Sequence, residues 1–86
     1  MKLDDRIAEL IAVGASVSAN CQPCLQFHVQ KAREFGAGEQ EISDAVAVGK
    51  LVRRGAATKM DSFVESLKSG EAVTSTADAG CGCSGG

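Results

Sequence analysis

The sequence predicts an all-α protein, a small antiparallel helical bundle. Apolar residues recur at helical spacing in three successive stretches, and glycine-rich or small polar segments separate these stretches. The chain has 86 residues with three Phe and neither Trp nor Tyr, so its core has few large side chains. Because so short a chain buries little apolar surface alone, we expect homo-oligomerisation to complete the bundle.

The first stretch predicts a helix over residues 3–15. Asp4 and Asp5 lie in its first turn, where carboxylates suit the positive end of the helix dipole. Its apolar face consists of Leu3, Ile7, Leu10, Ile11 and Gly14. Glu9 lies roughly 130° from the centre of that face at about 100° per residue, so the helical wheel predicts an exposed acid. The small polar residues 14–20 predict a bend.

The second stretch predicts a helix over residues 21–35. Asn20 is a suitable N-cap, and Pro23 is tolerated in a first turn. Gly36 suits the left-handed position that ends a helix. The predicted inward face consists of Cys21, Cys24, Leu25, His28, Ala32 and Phe35.

The third stretch predicts one continuous helix over residues 39–68. A single helical phase holds Ile42, Val46, Gly49, Val52, Ala56, Met60, Phe63, Val64 and Leu67. Gly49 and Gly55 are candidates for close helix–helix approach. Four apolar residues miss the predicted faces, namely Phe27, Val29, Val48 and Leu51. We expect these four to form subunit contacts.

The predicted domain covers residues 1–68, and residues 69–86 form a flexible tail rich in Gly and Ser that contains Cys81 and Cys83. The net charge of −2 argues against nucleic-acid binding. No apolar run is long enough for a membrane span, and the first residues do not resemble a signal peptide. We therefore expect a cytoplasmic protein, and the sequence gives no reason to expect a cofactor.

The candidate functional residues are Cys21, Cys24 and His28. Cysteines at positions i and i+3 of a helix start can form and break a disulfide with little backbone motion. The free N–H groups of a first turn favour thiolate over thiol. His28 follows Cys24 by one turn and can hydrogen-bond a thiolate or accept its proton. This combination is typical of a redox-active thiol site.

Two other interpretations are open. Cys21, Cys24 and His28 could bind a metal or metalloid, with a further ligand from Cys81 or Cys83. Alternatively, the cysteines could be inert core residues of a helical assembly protein. Because three of the ligands would lie on one helix and the last on the tail, we favour redox chemistry over metal binding.

The spacing Glu9-x11-Cys21-x2-Cys24-x3-His28 resembles the carboxymuconolactone decarboxylase-like superfamily, in its alkyl hydroperoxidase D-like branch. The resemblance extends over residues 3–68, including Gly-Ala-Ala at 55–57. It implies an all-helical trimer or hexamer that reduces peroxides or exchanges disulfides, with an external dithiol as reductant. It also implies that Cys24 attacks the substrate, Cys21 resolves the product, and Glu9 and His28 relay the proton.

The chain departs from the pattern of that branch in two places. The well-known peroxidase motif has a histidine between the cysteines, whereas this chain has Gln22 and Pro23. One member of the proton relay is therefore missing. A proline between the two cysteines is instead similar to the motif of thiol–disulfide oxidoreductases. The Cys81-Gly82-Cys83 tail is also outside the pattern. It could act as a mobile dithiol that reduces the site, or it could be a disordered tail whose thiols are incidental.

Overall fold

A computed structural model of the protein describes residues 1–70 and shows three α-helices. These are α1 (Asp5–Ser18), α2 (Gln22–Glu34) and α3 (Glu39–Lys68), and the described part contains no strand. The predicted all-α class is confirmed. The expectations for the tail, including those for Cys81 and Cys83, lie outside the described residues.

Helix α1 is longer than predicted and buries a different face. It begins at the N-cap Asp4, whose carboxylate accepts a 2.8 Å hydrogen bond from the Ile7 N–H, and it continues to Ser18 instead of bending after residue 14. The buried side is centred on Val13, which is fully buried, while Ile7 and Ile11 are exposed. The observed buried side is therefore rotated about the helix axis by about a quarter turn from the predicted apolar face, at 100° per residue, and the predicted face was wrong.

Contact with two neighbouring segments explains this rotation. Val13 belongs to a core cluster that also contains Ala32, Ala37 and Ile42. Gly14 lies against residues 39–50 of α3, so a Cβ atom on Gly49 would be 2.4 Å from the Gly14 carbonyl oxygen. Such an approach is possible because both positions lack a side chain. Gly49 therefore marks a close helix–helix approach, as predicted.

Helix α2 begins one residue later and ends one residue earlier than the sequence predicts. Gly36 follows the helix with a left-handed φ of 91°, which confirms its predicted role. The N-cap is Cys21 and not Asn20, because Asn20 itself adopts a left-handed φ of 55°. Asn is one of the few residues that tolerate this conformation, and its turn separates α1 from α2.

Charged side chains form hydrogen bonds and ion pairs around the connection between α2 and α3. Arg33 donates two hydrogen bonds to Glu39, at 2.8 and 2.9 Å, and these lower the pKa of the Glu39 carboxyl. The Gly38 N–H donates to Glu41 at 3.0 Å and Arg6 pairs with the same carboxylate. Both contacts lower the pKa of the Glu41 carboxyl, and the hydrogen bond from the Gly38 N–H has the larger effect.

Helix α3 is continuous from Glu39 to Lys68, as predicted, although the chain divides into two compact units at residues 50 and 51. In the first unit, Ile42 is buried and Val46 is partly buried. The second unit exposes most of its predicted apolar face, including Met60, Phe63, Val64 and Leu67. Within residues 1–70, no helix combines the length and the hydropathy that a membrane span requires.

Candidate functional site

The two cysteines lie at the beginning of α2 and are joined by a disulfide. Their Cα atoms are 5.3 Å apart, within the range that a disulfide requires. Cys21 is the N-cap residue, and its Sγ accepts a 3.3 Å hydrogen bond from the Cys24 N–H. Pro23 occupies the first turn, where the absence of its N–H breaks no helical hydrogen bond. The residues between the cysteines thus fit the helix start.

The cysteines differ in exposure, and the prediction that both point inward was wrong for Cys24. Cys24 is exposed, whereas Cys21 is half-buried. The buried side of α2 is centred on Ala32, which is fully buried, with Leu25 and Val29 packed beside it. At about 100° per residue, Cys24 lies roughly 80° from Ala32 and therefore at the solvent boundary. The cysteine pair is therefore more exposed on the Cys24 side.

His28 contacts Glu9 across the interface between α1 and α2. The Nδ1 atom of His28 lies 2.6 Å from the Oε1 atom of Glu9, and the side chains are 30% and 21% exposed respectively. When the Glu9 carboxyl is ionised it can only accept a hydrogen bond, which requires the proton of this contact on Nδ1. The Nε2 atom then has a free lone pair and can act as a base.

This contact corrects the helical-wheel prediction for Glu9. The wheel was centred on Ile7 and Ile11, but the real buried side of α1 is centred on Val13. Glu9 lies about 40° from Val13 at 100° per residue, which places its carboxylate near α2. The structure therefore brings together the glutamate and the histidine that the family resemblance paired, although they are 19 residues apart.

Phe27 and Lys31 complete the surroundings of His28. The Phe27 ring meets the imidazole edge-on, with ring centroids 5.1 Å apart and an interplanar angle of 82°. The Lys31 ammonium lies 5.7 Å from the Phe27 ring centroid, within cation–π range. Phe27 was expected only at a subunit contact, and its proximity to the site was not predicted. The position of Phe27, next to His28 in the sequence and about one helical turn after Cys24, could have predicted this proximity.

The metal-binding interpretation receives no support from the described residues. Among residues 1–70, no group of three or more His, Cys, Asp or Glu side chains is arranged to hold a metal ion. The cysteines are oxidised in this structure, and a disulfide cannot provide thiolate ligands. The further ligands proposed from the tail lie outside the described part of the chain.

The fold and the site define an all-α protein with a paired-cysteine centre beside a histidine–carboxylate contact. The family model described as "Carboxymuconolactone decarboxylase family" matches residues 1–63, and the chain belongs to this family. The chain is also similar to "Uncharacterized protein 4 in cox locus" of Paracoccus denitrificans, with 40% identity over 55 residues. That match covers 64% of this chain and 50% of the relative, so the chain spans about half of the relative's length. No solved structure matches the chain.

Proposed function

We propose that the protein is a thiol-dependent oxidoreductase of the alkyl hydroperoxidase D type, acting on a peroxide or a disulfide. The observation that carries this proposal is the exposed residue Cys24, paired with Cys21 at a helix start and followed one turn later by His28. An accessible thiol with a neighbouring resolving thiol is the arrangement that reversible cysteine oxidation requires. Membership in a family with redox-active members agrees with it.

The reaction begins with the reduced pair. The Cys24 thiolate attacks the terminal peroxide oxygen, the O–O bond breaks, and an alcohol and a Cys24 sulfenic acid form. The Cys21 thiolate then attacks the Cys24 sulfur, and the disulfide forms as water leaves. With a disulfide substrate, Cys24 forms a mixed disulfide that Cys21 resolves in the same way. An external dithiol supplies the two electrons that restore the reduced pair. A reducing compartment such as the cytoplasm would provide this dithiol.

His28 and Glu9 provide the proton transfer in this scheme. Glu9 accepts from the Nδ1 side of the imidazole, which orients the ring and leaves the opposite nitrogen for proton transfer. The opposite nitrogen takes the proton of the attacking thiol and returns it to the leaving oxygen or sulfur. The carboxylate thus acts through the histidine, and its removal should affect the rate and the pH profile more than substrate binding.

The test is peroxide and disulfide turnover with a dithiol reductant. Cys24→Ser should abolish turnover, and Cys21→Ser should stop at a sulfenic acid or mixed disulfide that mass spectrometry detects. Glu9→Gln should lower kcat about 10²-fold, the lower end for loss of general acid–base catalysis. Ser43→Gln on exposed α3 surface is the control. Wild-type turnover by Cys24→Ser would end the proposal.

We also propose that the protein forms a homo-oligomer, a trimer or a hexamer. The support is the number of large apolar side chains that the described chain exposes, including Leu3, Ile7, Ile11, Phe27, Val48, Leu51, Met60, Phe63, Val64 and Leu67. A monomer rarely exposes so many. Ile11→Glu should reduce the mass measured by light scattering after size-exclusion chromatography, and Ser43→Glu should not. A monomeric wild type would contradict the proposal.

A further inference from the structure

The hydrogen bond with Glu9 fixes only one point of the His28 imidazole. The Nδ1 atom of the ring lies 2.6 Å from the Glu9 Oε1 atom, which belongs to α1. The last torsion of a histidine side chain has a broad, two-fold energy profile, so the ring plane can swing about this single contact. The Nε2 atom lies on the opposite side of the ring and moves with the plane. A base works best when its lone pair is aimed at the proton that it accepts, so the orientation of the plane matters.

Phe27 makes a second contact with the same ring. The two ring centroids are 5.1 Å apart, and the planes meet at 82°, which is the edge-on arrangement that aromatic pairs favour. Phe27 and His28 follow each other on α2, so this contact arises within one helix, whereas the contact with Glu9 comes from α1. The imidazole is therefore held from two elements and in two different directions.

The Phe27 ring is itself supported by a cation. Phe27 is 55% exposed, so packing in the core does not fix its side chain. The Lys31 ammonium, one helical turn further along α2, lies 5.7 Å from the centroid of the Phe27 ring and within cation–π range. That ammonium lies 3.4 Å from an oxygen of Glu34. A continuous series of side-chain contacts thus runs along α2 from Glu34 to His28.

We infer that Phe27 is a positioning residue that holds the imidazole plane of His28 and so directs its Nε2 atom. Phe27 acts through His28, and its role requires no contact with the substrate. Its effect on the reaction rate rests on the proposed function. The order of the imidazole ring is a property of the folded chain, and it can be measured without any turnover.

Nuclear magnetic resonance relaxation of the imidazole tests this role. His28 is the only histidine of the full chain, so ¹³C-labelled histidine gives one set of ring signals. We expect a Cδ2–H order parameter of about 0.8 in the wild type and below about 0.6 in Phe27→Ala. Phe27→Tyr keeps the ring and should retain the wild-type value. Phe35→Ala, which removes another exposed ring at the end of α2, is the matched control.

Equal order parameters in the wild type and in Phe27→Ala would overturn the inference. Circular dichroism of each variant should show the wild-type helix content, because Phe27 is more than half exposed and its removal leaves no buried cavity.

A subunit contact is the rival explanation for an ordered imidazole, because Phe27 is also one of the exposed side chains that support the proposed oligomer. Ile11→Glu tests this explanation, since it changes an exposed residue of α1 and leaves Phe27 and Lys31 in place. We expect this variant to retain the wild-type order parameter when light scattering shows a smaller mass. A loss of order equal to that of Phe27→Ala would assign the effect to a subunit contact and overturn the inference.

A double-mutant cycle in the turnover assay tests whether Phe27 acts through His28. We expect Phe27→Ala to lower kcat about tenfold, a part of what general acid–base catalysis contributes, and to change KM less than about twofold. In a His28→Gln background, the same substitution should change kcat less than about twofold. A tenfold loss in both backgrounds would show that Phe27 acts independently of His28 and would refute its positioning role.

The two kinds of measurement separate this role from the proposed function. Absence of peroxide and disulfide turnover in the wild type would contradict the proposed function, while the order of the imidazole would still decide the role of Phe27. Normal turnover in the wild type, with kcat unchanged in Phe27→Ala, would contradict the positioning role alone.

Discussion

Replacing Gly49 by alanine tests the close approach between α1 and residues 39–50 of α3. The new Cβ atom would lie 2.4 Å from the Gly14 carbonyl oxygen and 2.9 Å from the Val17 Cβ atom. The nearest atom belongs to the backbone, so no side chain can rotate away to relieve the overlap. The helices must therefore separate locally for the variant to fold.

The magnitude follows from two opposing effects. Moving the Cβ atom from 2.4 Å to the 3.0 Å below which such contacts are essentially never seen requires a shift of about 0.6 Å, and overpacking of this kind costs about 1–3 kcal/mol. Alanine in place of glycine within a helix recovers about 1 kcal/mol. Because the obstacle is backbone, we expect a net destabilisation of about 1–2 kcal/mol. The melting temperature should fall by about 5–10 °C.

Thermal and urea unfolding followed by circular dichroism measure this effect at one protein concentration and with the disulfide intact. Gly14→Ala is the matched comparison, because its Cβ atom would be 3.1 Å from the Ala45 carbonyl oxygen and needs a smaller adjustment. Its stability should be near that of the wild type. Ala47→Gly, at an exposed position of the same helix, calibrates the helix-propensity effect. A Gly49→Ala variant as stable as the wild type would refute the reasoning.

Two further predictions concern charge and backbone conformation. Because the Gly38 N–H and Arg6 lower the pKa of Glu41, this carboxyl stabilises the fold above its ordinary pKa, and the contribution disappears as the pH falls through the lowered pKa. Urea unfolding at several acidic pH values should therefore show a weaker pH dependence for Glu41→Gln than for the wild type; an unchanged dependence would contradict the assignment. Gly36→Ala should destabilise by about 1 kcal/mol because φ is 91° there, although a Cβ atom would meet nothing within 4 Å. Gly36→Asn should cost less in the same assay, and equal losses would argue against a conformational origin.

The local features of the site were predictable from the sequence. Cys21 and Cys24 are three residues apart at a helix start, so their pairing depends only on helix geometry and on Pro23, which is accepted in a first turn. The N-cap was misassigned to Asn20 because Asn also favours the left-handed turn that this residue adopts. Both roles use the same short polar side chain, and composition does not distinguish them.

The exposure of Cys24 and the contact between Glu9 and His28 could not be read from periodicity. A helical wheel gives the relative angles of side chains but does not say which side meets a neighbour. On α1, Ile7 and Ile11 suggested the wrong side. The rotation of this helix is decided instead by the packing of Val13 in the core and by the close approach of Gly14 to Gly49. The family resemblance paired Glu9 with the site where the wheel did not.

The sequence by itself determined three helices, the left-handed glycine that follows α2 and the cysteine pair at the start of α2, because each depends on interactions within a few residues. The tertiary structure decided what periodicity did not show, that Glu9 contacts His28, 19 residues away, and that Cys24 is more exposed than Cys21. These depend on how each helix is rotated about its axis. That rotation is set by contacts with other helices, which the pattern along one helix does not contain.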